Sequence, residues 1–127
     1  MNILFANNQE FNPQIGGVEK VSVVLAQEFQ KRGYVVYFAS RYRSKYGEAY
    51  EICSEQLISA EADKLAEFIK EKKIDLIINQ AGNDMAVARQ CYEAVQQSGR
   101  EIKMITTIHI DPFYRLNIVK DCHLDAL

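Results

Sequence analysis

Short β-rich runs alternate with helix-length amphipathic stretches along this chain, and that alternation limits its fold more than any other feature. Five runs have the composition of strands, namely 2–7, 35–40, a weak one at 50–53, 75–80 and 103–109. Amphipathic stretches at 18–33, 61–72 and 84–98 lie between them. Such alternation is typical of βαβ units around a parallel sheet. The strand runs are almost continuously apolar, as in Ile3-Leu4-Phe5-Ala6, which indicates that helices cover both faces of the sheet.

The predicted helices carry apolar residues at spacings of three or four, and glycines follow two of them. These residues are Val18, Val21, Leu25 and Phe29 in the first helix, Leu65, Phe68 and Ile69 in the second, and Met85, Ala88, Cys91 or Tyr92, and Val95 in the third. Gly33 and Gly99 stand where a left-handed residue closes a helix. The pattern predicts an α/β fold of three layers, α/β/α, with a doubly wound parallel sheet of strand order 3-2-1-4-5.

Length and charge restrict the class of protein. A chain of 127 residues allows one domain. The net charge of −2 gives no general attraction to nucleic acid, so no nucleic-acid partner is predicted. The chain starts without a basic segment or a long apolar run, and its three widely spaced cysteines are typical of reduced thiols. We therefore predict a cytoplasmic protein.

A pair of glycines precedes the first predicted helix. Gly16 and Gly17 follow an apolar strand, and a strand, a glycine loop and a helix N-terminus together direct backbone N–H groups at one point. This arrangement suits a phosphate, which side chains on the loop would obstruct. The alternative is a flexible turn that merely lets the chain enter the helix. We favour phosphate contact because of the resemblance that follows.

The amino-acid sequences of several segments resemble those of the family 4 glycosyltransferases. The segments are Gly16-Gly17-Val18-Glu19-Lys20, Leu25-Ala26, Lys31-Arg32-Gly33-Tyr34-Val35-Val36, Ile74-Asp75-Leu76-Ile77-Ile78 and Thr106-Thr107-Ile108-His109. The resemblance implies a GT-B enzyme with two Rossmann-like domains, of which residues 1–127 are the N-terminal, acceptor-side one. A further helix and strand would be needed after His109, so we expect a fragment. The C-terminal domain that grips the nucleotide-sugar, with its Glu-x7-Glu signature, has no counterpart here.

The resemblance also implies an activity and roles for particular residues. The family moves a sugar, with retention, from a nucleotide-sugar to a glycan or lipid-linked acceptor, generally without a metal, so no cofactor is predicted. Gly16 and Gly17 would face the donor diphosphate, and His109 would reach the donor sugar as the catalytic residue. A lone histidine at a strand end is about as often structural. Peripheral contact of a longer parent protein with the inner face of a membrane is a further expectation, and the oligomeric state is left open.

Ligands of open parallel sheets bind beyond the carboxyl ends of the strands, where the strand order reverses. The predicted order places Asn8 after the first strand, Arg41 after the second, and Asn79 and Gly82 at the end of the fourth. With Glu19 at the start of the first helix, these are the candidate substrate-binding residues. For Glu19, stabilisation of the helix dipole is an equally good explanation. Asn8 and its neighbour Asn7 would also serve as strand-end residues that bond their own backbone.

Other functions remain as alternatives. The main one is a stand-alone Rossmann-like nucleotide-binding or regulatory module, in which Arg41 suits a 2′-phosphate although the glycine spacing is not that of a dinucleotide loop. The basic and aromatic segment 41–46 is a solvated loop or an acceptor- or membrane-binding loop. His109, Asp111, Cys122 and His123 match no standard ligand spacing, so no metal site is predicted.

Overall fold

Five parallel strands form one sheet, with helices packed against it. The computed structural model describes residues 1–9, 11–12, 14, 17–42, 53–58, 62–81 and 84–107. The strands are β1 (Asn2–Ala6), β2 (Val35–Ser40), β3 (Cys53–Gln56), β4 (Leu76–Asn79) and β5 (Lys103–Thr106). The described helices are α1 (Gly17–Lys31), α2 (Asp63–Glu71) and α3 (Met85–Ser98).

The sheet has the strand order β3-β2-β1-β4-β5, which confirms the predicted order. β1 lies at the centre, pairing with β2 on one side, where Phe5 is opposite Phe38, and with β4 on the other, where Phe5 is opposite Ile78. The chain builds the sheet in one direction from β1 to β3 and then returns to build it in the other. The strand order therefore reverses between β1 and β4, and the space beyond their carboxyl ends is the switch point.

Two apolar clusters lie on opposite faces of the sheet. On the face covered by α1, the buried residues are rich in aromatic side chains and include Ile3, Phe5, Phe11, Val23, Ala26 and Phe38. On the other face, α2 and α3 bury Leu4, Leu65, Ile69, Ile77, Val87 and Cys91 among others. Alternate residues of β1 point to opposite clusters, as the two-residue period of a strand requires. The predicted three-layer α/β/α architecture is confirmed.

The buried face of α1 differs from the predicted one. Its buried residues are Glu19, Ser22, Val23 and Ala26. Val21 is 48% exposed and Leu25 38% exposed, so the prediction that these two face the core is wrong. The helix lies over a cluster of large rings, in which Phe11 stacks on Phe38 with ring centroids 4.0 Å apart. Val23 and Ala26 are the α1 residues buried in this cluster, with Phe29 packed against it, so close packing against the rings decides which side of the helix is buried.

The helix ends follow the predicted chemistry. Gly33 has a φ of +86° and its N–H donates to the Gln30 carbonyl, while the Tyr34 N–H donates to the Phe29 carbonyl. This pair of bonds is the Schellman ending, which satisfies two terminal carbonyls. Gly99 closes α3 with a φ of +67°. Lys73 takes the same left-handed conformation after α2 with a φ of 51°, although it is not glycine.

The strand predicted at 50–53 is displaced. β3 occupies Cys53–Gln56, pairs only with β2 among the described residues, and consists largely of polar residues. Edge strands often carry charged and polar residues, which discourage pairing with other chains. Such residues have a low preference for strands, so the sequence signal of an edge strand is weak. No helix in the described part of the chain is long and apolar enough to cross a membrane.

Candidate functional site

Buried polar side chains gather where the strands end. Residues at or just after the carboxyl ends of β1, β2, β4 and β5 are almost fully buried although polar: Asn7, Ser40, Asn79, Gln80 and Thr106. Burying polar groups costs free energy unless they are hydrogen-bonded. A concentration of them at the switch-point edge marks this edge as the candidate site.

Glu19 and Asn7 form a buried pair beside the start of α1. The Asn7 amide Nδ2 donates to Glu19 Oε1 at 3.3 Å, and the Asn7 Oδ1 accepts the Asn8 N–H at 2.9 Å. Glu19 is 7% exposed and lies in the first turn of α1, where the helix dipole favours a negative charge. The positive end of α1 therefore already has a carboxylate close to it.

Gly17 begins α1 and leaves space beside it. It is exposed, and a Cβ built on it meets no heavy atom within 4 Å. Its φ is not in the left-handed region, so the backbone there does not require glycine. Within this chain neither packing nor backbone conformation explains the absence of a side chain at Gly17.

Arg41 reaches across the switch point from the end of β2. Its Nε donates to the Oδ1 of Asn8, beyond β1, and its Nη2 lies 3.9 Å from Asp84 Oδ2. The other oxygen of Asp84, Oδ1, accepts the Ala86 N–H at 3.0 Å and so caps α3. One side chain thus connects β2, β1 and the start of α3. The sequence identified Asp84 only as a helix start, because its contact with Arg41 depends on tertiary placement.

The ends of β4 and β5 carry two polar groups without partners. Asn79 Oδ1 accepts the Ala81 N–H at 2.9 Å, which fixes the orientation of its amide, but Asn79 Nδ2 has no hydrogen-bond partner. Thr106, which is opposite Asn79 in the sheet, has an unpartnered Oγ1. Buried groups of this kind are rare in proteins, and a bound water or ligand often completes them.

The structure brings together some of the predicted site residues. Asn8, Glu19, Arg41 and Asn79 all lie at the carboxyl edge, and Gly17 opens the helix beside them. The remaining predictions fall outside the described residues. They are the roles of Gly16, Gly82 and His109, the metal alternative at His109, Asp111, Cys122 and His123, and most of the segment 41–46.

Other chemically notable features of the described residues lie away from this edge. A cavity of about 420 Å³ opens at the amino end of the sheet, lined by Asp75, Glu101, Ile102 and Lys103. Burial raises the pKa of the Cys91 thiol to about 12, so this thiol is unreactive at neutral pH. Within the described ranges, no three residues of the metal-ligating types come together.

A scan against protein-family models finds no matching family, and a search of curated proteins finds no matching sequence. Solved structures do match. The apo form of the lipopolysaccharide outer core galactosyltransferase WaaB is 20% identical, with a TM-score of 0.67 over 96% of this chain and 36% of its own. Leucoanthocyanidin reductase from Vitis vinifera, in a ternary complex, is 14% identical, with a TM-score of 0.64 over 99% of this chain and 45% of its own.

UDP-glucose 4-epimerase from Thermus thermophilus, in complex with NAD, is 14% identical, with a TM-score of 0.58 over 83% of this chain and 36% of its own. This chain spans between a third and a half of these solved chains. At such identities the likeness concerns the fold and not the activity. The chain therefore has the Rossmann-like α/β fold that these three proteins share.

Proposed function

We propose that these residues are the acceptor-side Rossmann-like domain of a retaining glycosyltransferase, which moves a sugar from a nucleotide-sugar to a glycan or lipid-linked acceptor. The observation that carries the proposal is the polar edge at the switch point, where Gly17 leaves open space and Arg41 supplies a cation. The sequence motif around Gly17 resembles that of the family 4 glycosyltransferases, and the similarity in fold to WaaB agrees with the proposal.

The chemistry of the reaction explains what this edge would do. Retaining sugar transfer passes through an oxocarbenium-like state while negative charge develops on the departing diphosphate. The N–H groups at the start of α1 and the guanidinium of Arg41 would stabilise that charge. His109, three residues after the end of β5, would contact the donor sugar. A second domain outside these residues would hold most of the nucleotide-sugar, and no metal enters the proposal.

A stand-alone nucleotide-binding module is the second candidate, and one observation favours it. Arg41 directly follows β2, the position at which an arginine accommodates the 2′-phosphate of NADP in dinucleotide-binding folds. Against it, Arg41 already contacts Asn8 and lies near Asp84.

NMR titration of the isotopically labelled chain separates the two candidates. We expect a nucleoside diphosphate to shift the amide signals of Gly17, Asn8 and Arg41, and NADPH to leave them in place. The amide of Gly99, at the opposite end of α3, serves as an internal control. Shifts at the three edge residues with NADPH alone would favour the dinucleotide module and reject the glycosyltransferase proposal.

A further inference from the structure

The Arg41 guanidinium is held in place, but not all of its N–H donors are used by the contacts described above. Its Nε donates to Asn8, which fixes the side chain over the end of β1. Its Nη2 is 3.9 Å from Asp84, beyond hydrogen-bond distance, and the side chain remains 37% exposed. The second arginine ion pair in the described residues is tighter, because Arg100 Nη2 lies 3.5 Å from Asp75 and its Nε donates to the Ile74 carbonyl.

The charge around Arg41 explains why Asp84 matters. Glu19 already lies near the positive end of α1 and is held there by Asn7. A phosphate that approaches the N–H groups of α1 would therefore also meet the Glu19 carboxylate, and the guanidinium of Arg41 would offset that negative charge. A guanidinium recognises phosphate through paired N–H donors, which the 3.9 Å approach of Asp84 does not engage.

We propose that Asp84 is a built-in competitor at a phosphate site formed by Arg41 and Asn8: a phosphate ester or diphosphate displaces the Asp84 carboxylate from Arg41 when it binds. Asp84 keeps its other oxygen on the Ala86 N–H, so the cap of α3 survives the exchange. The choice of phosphate as the anion rests on the proposed function, whereas the contact between Arg41 and Asp84 does not.

Two further groups are available beside this site. Asn79 Nδ2 and Thr106 Oγ1 lie unpartnered at the ends of the neighbouring strands, and the Asp84 N–H donates to the carbonyl of Ala81, two residues after Asn79. Asp84 is therefore connected to Asn79 through the backbone of Ala81. A water or a ligand often completes buried polar groups of this kind, and both groups can donate a hydrogen bond to an anion beside them.

The test measures binding of pyrophosphate to the chain by calorimetry at low ionic strength, where charge effects are least screened. Arg41→Gln should weaken binding by about tenfold or more, since hydrogen bonds to charged groups are among the strong ones. Asp84→Asn keeps an oxygen for the α3 cap and removes the charge, and it should tighten binding by roughly two- to fivefold, the range of partly exposed ion pairs. Circular dichroism of each variant checks that the fold is retained.

The matched control is the ion pair at the other end of the sheet. Arg100→Gln and Asp75→Asn remove the same two chemical groups there and should leave the affinity unchanged. If Asp84→Asn leaves pyrophosphate binding unchanged or weakens it, the competitor role is overturned. If Arg41→Gln binds as the unaltered chain does, the phosphate site is overturned.

Titrations with two further ligands identify the source of the phosphate. A nucleoside diphosphate represents the leaving group of a donor, and glycerol phosphate represents an acceptor headgroup. Tightening by Asp84→Asn should appear with whichever of them supplies the anion, and its absence with both would overturn the proposal. The proposed transferase activity is measured separately, as sugar transfer by a protein that contains both these residues and the second domain that the proposed function requires. A protein that binds pyrophosphate as expected but transfers no sugar would contradict the proposed function alone.

Discussion

The buried residue Cys91 couples ionisation to folding in this protein. Its thiol has a pKa of about 12 in the fold, against an ordinary value of 9.0, because burial disfavours the thiolate. As the pH rises above 9, the unfolded chain loses this proton and the folded chain does not. The contribution of the thiol to stability is therefore complete below pH 9 and is lost between pH 9 and about 12.

We expect this loss to be measurable with Cys91→Ala, which has no thiol to titrate at this position. Between pH 9 and 10 the free energy of unfolding should fall by up to about 1.4 kcal/mol more in the unaltered chain than in the variant, the equivalent of one pH unit. Chemical denaturation at each pH measures it. Parallel pH profiles for the two proteins would show that Cys91 is accessible.

His109 carries the second prediction at this scale. If its imidazole contacts the sugar or the leaving group as charge develops, His109→Ala in a sugar-transferring form of the protein should lower turnover by about 10²–10⁴. A loss confined to KM would indicate uniform binding of the donor instead. Steady-state kinetics with the nucleotide-sugar distinguish these results. A variant within about threefold of the unaltered enzyme in both parameters, far short of that range, would make His109 structural.

At the scale of elements, the end of α2 contains avoidable strain. Lys73 has a φ of 51°, a conformation that costs a residue with a Cβ roughly 1–2 kcal/mol and that glycine adopts freely. Lys73→Gly should therefore raise the free energy of unfolding by roughly 0.5–1 kcal/mol after the entropy of glycine is subtracted. Lys72→Gly is the matched control, since Lys72 has a φ of −88°. Thermal unfolding that ranks the two variants the other way would contradict this account.

The start of α1 gives the complementary case. Gly17→Val places its Cβ in open space, so the variant should unfold within about 1 kcal/mol of the unaltered chain, as surface substitutions do. If a phosphate approaches Gly17, the same variant should bind a nucleoside diphosphate more weakly. Calorimetry measures the affinity for the nucleoside diphosphate and thermal unfolding measures stability, and together they distinguish phosphate contact at Gly17 from a simple turn. Unchanged binding, or a variant that fails to fold, would favour a simple turn.

The sequence predicts the elements better than it predicts their faces. The glycine caps follow from local chemistry, the strand order follows from the doubly wound fold that the alternation predicts, and both are confirmed. The buried side of α1 does not follow, because apolar residues lie on several sides of that helix, and it is Val23 and Ala26 that pack in the cluster with the aromatic rings of β1 and β2. The pair Arg41–Asp84 could not be predicted either, since it joins residues from separate strand–helix units.

At the scale of the whole molecule, the proposed function requires a cleft between two domains, and these residues would form one side of it. We expect residues 1–127 by themselves to transfer no sugar, because the proposed function assigns the nucleotide-sugar mainly to a second domain outside these residues. The measurement is transfer from a panel of nucleotide-sugars to glycan and lipid-linked acceptors. Turnover above a blank without protein would reject the idea that a second domain is required.

The central position of β1 has a consequence for the synthesis of the protein. β1 is made first, yet one of its two partners is β4, and the Asn2 N–H bonds to Asp75, 73 residues later. At a ribosomal rate of about 5–20 residues per second, the apolar strand waits several seconds with an open edge. During that interval, a chaperone that shields extended apolar segments would have its binding site in β1, which is made long before its partner β4.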